Sequence, residues 1–332
     1  MNLRGALFGC GMISEFHLRA WNRIPNVQIV ALCNRTLSRA QQRRDEFVPK
    51  ARVYSDVNEM LAAEKLDFLD ILTTPELHRE HCLIAMRAGL HVICQKPLCA
   101  TLNAARSLVN EVAGYPKVFA VHENHRYRPW FRDVRRRFKQ GLLGRASFLR
   151  VEHLNATEPE EKYKTDVSHG VLLEYGSHLV DMMRSLLGEP SRVHARMHHL
   201  NPGVNGESMV HAMYEYPNIT AVIDAGWKHA ALTQGSVLLA CDEGEAWYEG
   251  TLTRGEQGRL RLSHGKQVIV DRAISPIDEY VESFYLFQRE CVDAMLARGH
   301  LVQTGQEHLR TLTCTFAAYK SASTGQVVEC EA

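Results

Sequence analysis

The chain has 332 residues, 45% hydrophobic and 23% charged, which is globular material long enough for two domains with cores of their own and excludes membrane and disordered classes. With 39 basic against 38 acidic side chains the net charge is +1, so no field gathers nucleic acid or anionic lipid. Nine cysteines without paired metal spacing or a Cys-x-x-Cys read as reduced core residues of a cytoplasmic protein, and no run reaches the length of a signal peptide or a membrane span.

Leu3 to Phe8 is an apolar run without helical period, followed by Gly9-Cys10-Gly11-Met12-Ile13-Ser14 and an amphipathic stretch over residues 15–23. Strand, glycine turn and helix form the context that a dinucleotide fingerprint requires. Gly9 permits the tight turn. Gly11 lets the amides around Met12 and Ile13 approach a pyrophosphate at the helix start, where the dipole favours negative charge. The second strand, Val27 to Cys33, ends at Asn34-Arg35-Thr36, where such folds contact the adenosine ribose, usually through a carboxylate when the cofactor is NAD. An amide here, with Arg35 and Arg39, leaves a 2′-phosphate unrepelled and two arginines to pair with it, so NAD and NADP both stay open. The competing reading has Ser38 capping the next helix and both arginines solvated.

Strand and helix keep alternating over residues 51–54, 57–63, 68–72 and 76–88, which implies a parallel, doubly wound sheet. Thr73-Thr74-Pro75 ends the fourth strand at the edge where Gly9 stands, so its hydroxyls and amides face a cofactor, with His78 in the helix that follows. His78 and His81 share a helical turn but lack a third ligand, and they read as a surface pair rather than a metal site. The central strand closes on His91-Val-Ile-Cys-Gln95-Lys96-Pro97. Pro97 keeps Lys96 out of the helical region, so its ammonium is delivered from an extended backbone at the carboxyl end of a strand, where open parallel sheets bind ligands.

A sixth strand over residues 118–121 runs out into His122-Glu-Asn124-His-Arg126-Tyr-Arg-Pro129, the most polar stretch of the chain, and the crossing between a first domain (1–123) and a second (124–332) falls there. Runs at 146–154, 192–199, 208–216, 219–226, 236–240, 259–263 and 267–271 predict a large, open, mostly antiparallel sheet with hairpin turns at Pro217-Asn218, Asp242-Glu243-Gly244 and His264-Gly265. Helical patterns at 172–187, 277–297 and 306–321 cover one face of it; the other face predicts a homodimer or homotetramer. On the first of these helices Glu174 and His178 are one turn apart, so the carboxylate can orient the imidazole, while Gly176 leaves room for a flat ring. The bland reading of His178 is a hydrogen-bonded core histidine.

Gly9-Cys10-Gly11, the run Gly89-Leu-His-Val-Ile-Cys-Gln95-Lys96-Pro97 and Glu174-Tyr-Gly176-Ser-His178-Leu-Val-Asp181 together resemble the Gfo/Idh/MocA family of NAD(P)-dependent oxidoreductases over nearly the whole chain. The resemblance implies a Rossmann domain followed by an α/β domain, and hydride transfer between nicotinamide and a CH–OH group of a neutral sugar or polyol. It implies His178 as general acid/base, Lys96 polarising the reacting oxygen, Glu174 as orienter, and Asn124, Arg126 and Tyr163 binding substrate hydroxyls. No metal is implied, because Lys96 supplies the positive charge. Gln95 and Glu174 depart from the family's glutamate and aspartate at these places. The stretches His122-Glu-Asn-His-Arg126-Tyr and Leu200-Asn-Pro-Gly-Val-Asn-Gly206-Glu207 are most similar to the D-apiose dehydrogenase branch. Two rivals stay open: a dinucleotide-dependent sensor on the same fold and an NAD-dependent redox-assisted glycosidase.

Overall fold

In the computed structural model the described residues are 2–157, 168–228, 233–252 and 257–331. Contacts divide the chain into one unit of Met1–Asn124 with Val281–Leu309 and a second of His125–Tyr280 with Arg310–Ala332. The first unit thus includes part of the carboxyl-terminal sequence, which a division at residue 123 does not anticipate.

The first unit is a six-stranded sheet in the order β3-β2-β1-β4-β5-β6, built from Leu3–Phe8 (β1), Val27–Cys33 (β2), Arg52–Tyr54 (β3), Phe68–Ile71 (β4), His91–Gln95 (β5) and Phe119–His122 (β6). Every pairing in it is parallel. Helices Ser14–Trp21 (α1), Leu37–Phe47 (α2), Val57–Ala63 (α3), Pro75–Arg87 (α4) and Leu102–Glu111 (α5) alternate with the strands. The strands are fully apolar where both sheet faces are covered: Val92, Ile93 and Cys94 of β5 are buried on successive positions. Strand order reverses between β1 and β4, and ligands of open parallel sheets bind outside the strand carboxyl ends at such a point.

In the second unit nine strands form a sheet in the order β14-β13-β12-β11-β7-β10-β9-β8-β15. They are Ala146–Leu154 (β7), Arg192–His198 (β8), Met209–Tyr216 (β9), Ile219–Gly226 (β10), Gln234–Cys241 (β11), Gly244–Gly250 (β12), Gly258–His264 (β13), Gln267–Ile274 (β14) and Val328–Glu329 (β15). Among the described residues only β7 and β10 pair in parallel in this sheet. Helix α6 (Pro129–Lys139), a π-helical turn (Leu172–Gly176) running into α7 (Ser177–Leu187), α8 (Pro276–Met295) and α9 (Gly305–Thr324) follow in the chain. The division between the units falls within α8 and α9.

Alternation with a period of two sorts the sheet's faces. Leu149 and Val151 of β7, Ala221 and Ile223 of β10, Val237 and Leu239 of β11, and Leu260 and Leu262 of β13 point inward and are buried with Leu179, Val180, Met182 and Met183 of α7. Each Val, Leu, Ile or Met side chain among them contributes about 1.5–3 kcal/mol by leaving water. The opposite face carries Arg150, Met213 and Trp247, which stay exposed. Sequence periodicity missed β12, because Gly244, Glu245, Glu249 and Gly250 dilute an alternation that rests on Ala246 and Tyr248 alone.

Candidate active site

The glycine turn after β1 has the geometry that its sequence predicts. Gly9 adopts φ +110°, and a Cβ there would stand 2.5 Å from the Leu72 carbonyl oxygen, so no other residue fits without moving the end of β4. Over Gly11 nothing lies within 4 Å of a Cβ position. That open space adjoins the start of α1, where the helix dipole favours negative charge, and the two together fit an approaching pyrophosphate. Asn34 accepts the Cys10 N–H at 2.9 Å and donates to the Thr36 carbonyl at 2.9 Å. Its amide therefore ties the glycine turn to the end of β2, while Arg35 and Arg39 stand exposed.

Lys96 is half-buried at the carboxyl end of β5, and its peptide bond to Pro97 is cis. Gln95, which stands where the family has a glutamate, turns both ends of its amide to the protein: Oε1 accepts the Lys96 N–H at 2.7 Å and Nε2 meets His17 Nε2 at 3.1 Å. Thr73 Oγ1 bonds His81 Nδ1 at 2.9 Å. Thr74 is the residue before α4, and Pro75 occupies its first turn, where a missing N–H costs nothing. His78 departs from expectation. It is fully buried, with Nδ1 2.9 Å from the Pro97 carbonyl and Nε2 2.9 Å from the Thr73 carbonyl, so both ring nitrogens face loop backbone. Burial holds its pKa below the ordinary histidine value, against the raising effect of those carbonyls. Asn124 is also spent within the first unit, donating to Ser283 Oγ at 2.8 Å.

In the second unit the imidazole of His178, 5% exposed on α7, stacks on His125 at 3.8 Å and meets the edge of Tyr175 at 5.5 Å. Tyr175 stacks in turn on His153 at 3.8 Å and donates its hydroxyl to the Leu252 carbonyl at 3.2 Å. Burial, and after it the nearby Arg128 guanidinium, takes His153 down to about 3 despite its bond to Asn155. The ring is therefore neutral, with Nε2–H donating to Asn155 Oδ1 at 3.1 Å. Glu174 lies in the π turn, so its angular relation to His178 follows an i→i+5 pattern and not the regular helix assumed from spacing.

Glu207 anchors the start of that turn. It accepts the N–H groups of Gly170 and Leu172, each at 2.8 Å, and the Tyr319 hydroxyl at 2.7 Å. A Cβ on Gly170 would lie 1.9 Å from the Glu207 carbonyl oxygen, so this approach requires glycine. Nothing in the sequence except the acid's place after a Gly-rich loop signals the role.

Arg126 is engaged by the protein. Its guanidinium is 3% exposed and grips Asp181 of α7 with two donors, Nε to Oδ2 at 2.6 Å and Nη2 to Oδ1. These bonds commit Nε and Nη2 of the guanidinium to a carboxylate of the protein. Arg184 is held by Glu189 and Thr311, and the buried Arg128 donates to the carbonyls of Leu252 and Pro276. Tyr163 lies outside the described residues. No described helix is long and apolar enough to cross a membrane.

Residues 3–123 match the oxidoreductase family with an NAD-binding Rossmann fold, and residues 131–247 match the GFO/IDH/MocA C-terminal domain. A D-apiose dehydrogenase of Paraburkholderia graminis is 31% identical over 98% of this chain and 89% of its own length. A D-apiose dehydrogenase of Rhizobium rhizogenes is 26% identical over 98% of this chain and 97% of its own length. Among solved structures, a levoglucosan dehydrogenase in complex with NADH and levoglucosan shares the fold with a TM-score of 0.87, at 20% identity and full coverage of both chains (100% of each).

Proposed function

This chain belongs to the GFO/IDH/MocA oxidoreductase family, whose amino-terminal domain is an NAD-binding Rossmann fold, and we propose that it oxidises a neutral sugar at its anomeric carbon to a lactone. D-Apiose is the first candidate substrate, from the names of the two relatives that match nearly all of the chain. When bound, NAD or NADP supplies the hydride acceptor. The backbone around Gly11 to Ile13 holds the pyrophosphate. Lys96 hydrogen-bonds the reacting hydroxyl and stabilises the negative charge that develops on its oxygen as the C–H bond breaks. His178 takes the hydroxyl proton and returns it in the reverse direction. Glu174 orients the substrate and its neighbours.

The observation that carries the choice of a neutral substrate is the state of the arginines around α7. Arg126, Arg128 and Arg184 each donate to protein acceptors, so none of them is set out as a fork for phosphate or carboxylate. A hydroxyl, which both donates and accepts, suits the remaining polar groups, and an analogue without it leaves a buried group unpaired. The test compares kcat/KM for a free aldose, its phosphate and its deoxy analogues with both cofactors. The free sugar should be preferred. A higher value for the phosphate would contradict the neutral-substrate reading, and turnover of none would favour the sensor.

The exposed Met213 and Trp247 on the open sheet face support a homodimer or homotetramer assembled through that face. All nine cysteines are free thiols and all but Cys241 are buried, which supports a reducing, cytoplasmic location.

A further inference from the structure

At the carboxyl edge of the first unit a directed chain of hydrogen bonds ends on the backbone of Lys96. The geometry points to His17 and Asp70 as a positioning pair for Lys96, matched to an amide and not a carboxylate at position 95. The inference rests on Lys96 acting at the reacting oxygen.

The side chains of His17 and Asp70 are 0% exposed. Asp70 Oδ2 accepts Trp21 Nε1–H at 2.7 Å and also faces His17 Nδ1 at 2.8 Å. A carboxylate has no hydrogen to give, so Nδ1 carries one, and a neutral ring then presents Nε2 as an acceptor. That acceptor meets Gln95 Nε2 at 3.1 Å, where an amide NH2 supplies the donor. The other end of the amide is fixed independently, because Oε1 accepts the Lys96 N–H at 2.7 Å. All three constraints agree, and reversing any one of them sets two donors or two acceptors against each other. On the far side of Lys96 the Pro97 carbonyl is held by His78 Nδ1 at 2.9 Å. The backbone is therefore held at the peptide before Lys96 and again at the Pro97 carbonyl, one peptide further on, and these two anchors bracket the lysine.

A carboxylate at position 95 would keep the bond to the Lys96 N–H but turn its second oxygen toward the bare Nε2 of His17. One proton shared between the two would repair the contact. The other groups packed on the ring bring no charge to that contact. His122 packs 4.2 Å away, Phe284 lies edge-on at 5.2 Å, and Gln288 reaches only the His17 backbone carbonyl. Burial holds His122 well below its ordinary pKa, so it is neutral; Cys94 and Cys291, whose thiols feel Asp70, are kept protonated by burial. Among the described residues Asp70 is thus the one anion at the ring.

The test uses the full chain with bound cofactor. In the parent, nitrogen NMR of labelled histidine should show His17 as a neutral ring with hydrogen on Nδ1, assigned by its loss in His17→Gln. The tautomer is read on the parent and does not depend on a variant retaining activity. Gln95→Glu should lower kcat about 10- to 100-fold near neutral pH, the scale of a slightly misplaced group, with cofactor affinity kept. Its kcat relative to the parent at the same pH should recover as pH falls, because a proton returns to the pair. His17→Gln, whose amide can donate to Asp70 and accept from Gln95, should stay close to the parent, and His17→Leu should not. In the double variant, Q95E with H17Q, the recovery should move to lower pH, since the carboxyl group must then take the proton alone. An Nε2–H tautomer or an imidazolium in the parent, or a Q95E ratio that is flat with pH, would overturn the proposal. Should Lys96→Met retain turnover while the Nδ1–H tautomer stands, the role of Lys96 fails, and the pair has no reacting group to position.

Discussion

Removing the Asp181 carboxylate should unfold the second unit well before it affects substrate binding. In Asp181→Ala the Arg126 guanidinium, 3% exposed, loses a two-point partner that is itself 0% exposed. Thr311, which donates to Asp181 Oδ1 at 3.1 Å and accepts from Arg184 Nη1 at 2.6 Å, loses its acceptor as well. An uncompensated buried charge of this kind costs about 3–5 kcal/mol, a large part of the roughly 5–15 kcal/mol that keeps a protein folded. Replacing both partners with apolar residues, Arg126→Met with Asp181→Leu, should cost clearly less than the sum of the single changes, since no charge is stranded. Urea unfolding followed by circular dichroism reads both quantities. If Arg126→Met left the unfolding midpoint unchanged and instead raised KM for the sugar, Arg126 would be a substrate ligand, as its sequence position suggests, and the structural assignment would be refuted.

Two further outcomes follow from the second unit. His153 titrates at about 3 in the fold against an ordinary value near 6.5, so the unfolded chain takes a proton there that the folded chain refuses. Its contribution to stability is complete above the ordinary value and is lost as pH falls toward 3, at about 1.4 kcal/mol per pH unit. His153→Gln should flatten the dependence of unfolding free energy on pH by that slope, and an unchanged slope would show that the ring is already charged in the fold. Light scattering should report a dimer or tetramer that Trp247→Lys weakens; a monomer at micromolar concentration would remove the open face as an interface.

The fold was legible because its signals are local and repeated. Apolar runs alternating with 3.6-residue patterns specify the parallel sheet, and Gly9 at φ +110° is the conformation that the turn after β1 demands. Lys96 was legible for a similar reason, as it sits against a proline at a strand end. What remained hidden was the partner of each polar side chain. Arg126 and Asn124 stand in a stretch rich in donors, and only the tertiary structure shows that Asp181 and Ser283 claim them. His17 looks in sequence like any residue on an amphipathic helix, and its link to Asp70 spans 53 positions. The π turn at Glu174 was missed because an i+4 spacing presumes an α-helix. His78 read as a surface residue, since nothing local shows that the loops after β4 and β5 close over it.

The central claim is transfer of hydride from the anomeric carbon of a neutral sugar, and labelling that hydrogen tests it most directly. D-Apiose carrying deuterium at C1, incubated with the protein and oxidised cofactor, should give reduced nicotinamide bearing one deuterium by mass spectrometry together with an unlabelled lactone. Reduced cofactor without deuterium, or label retained in the sugar product, would contradict oxidation at C1.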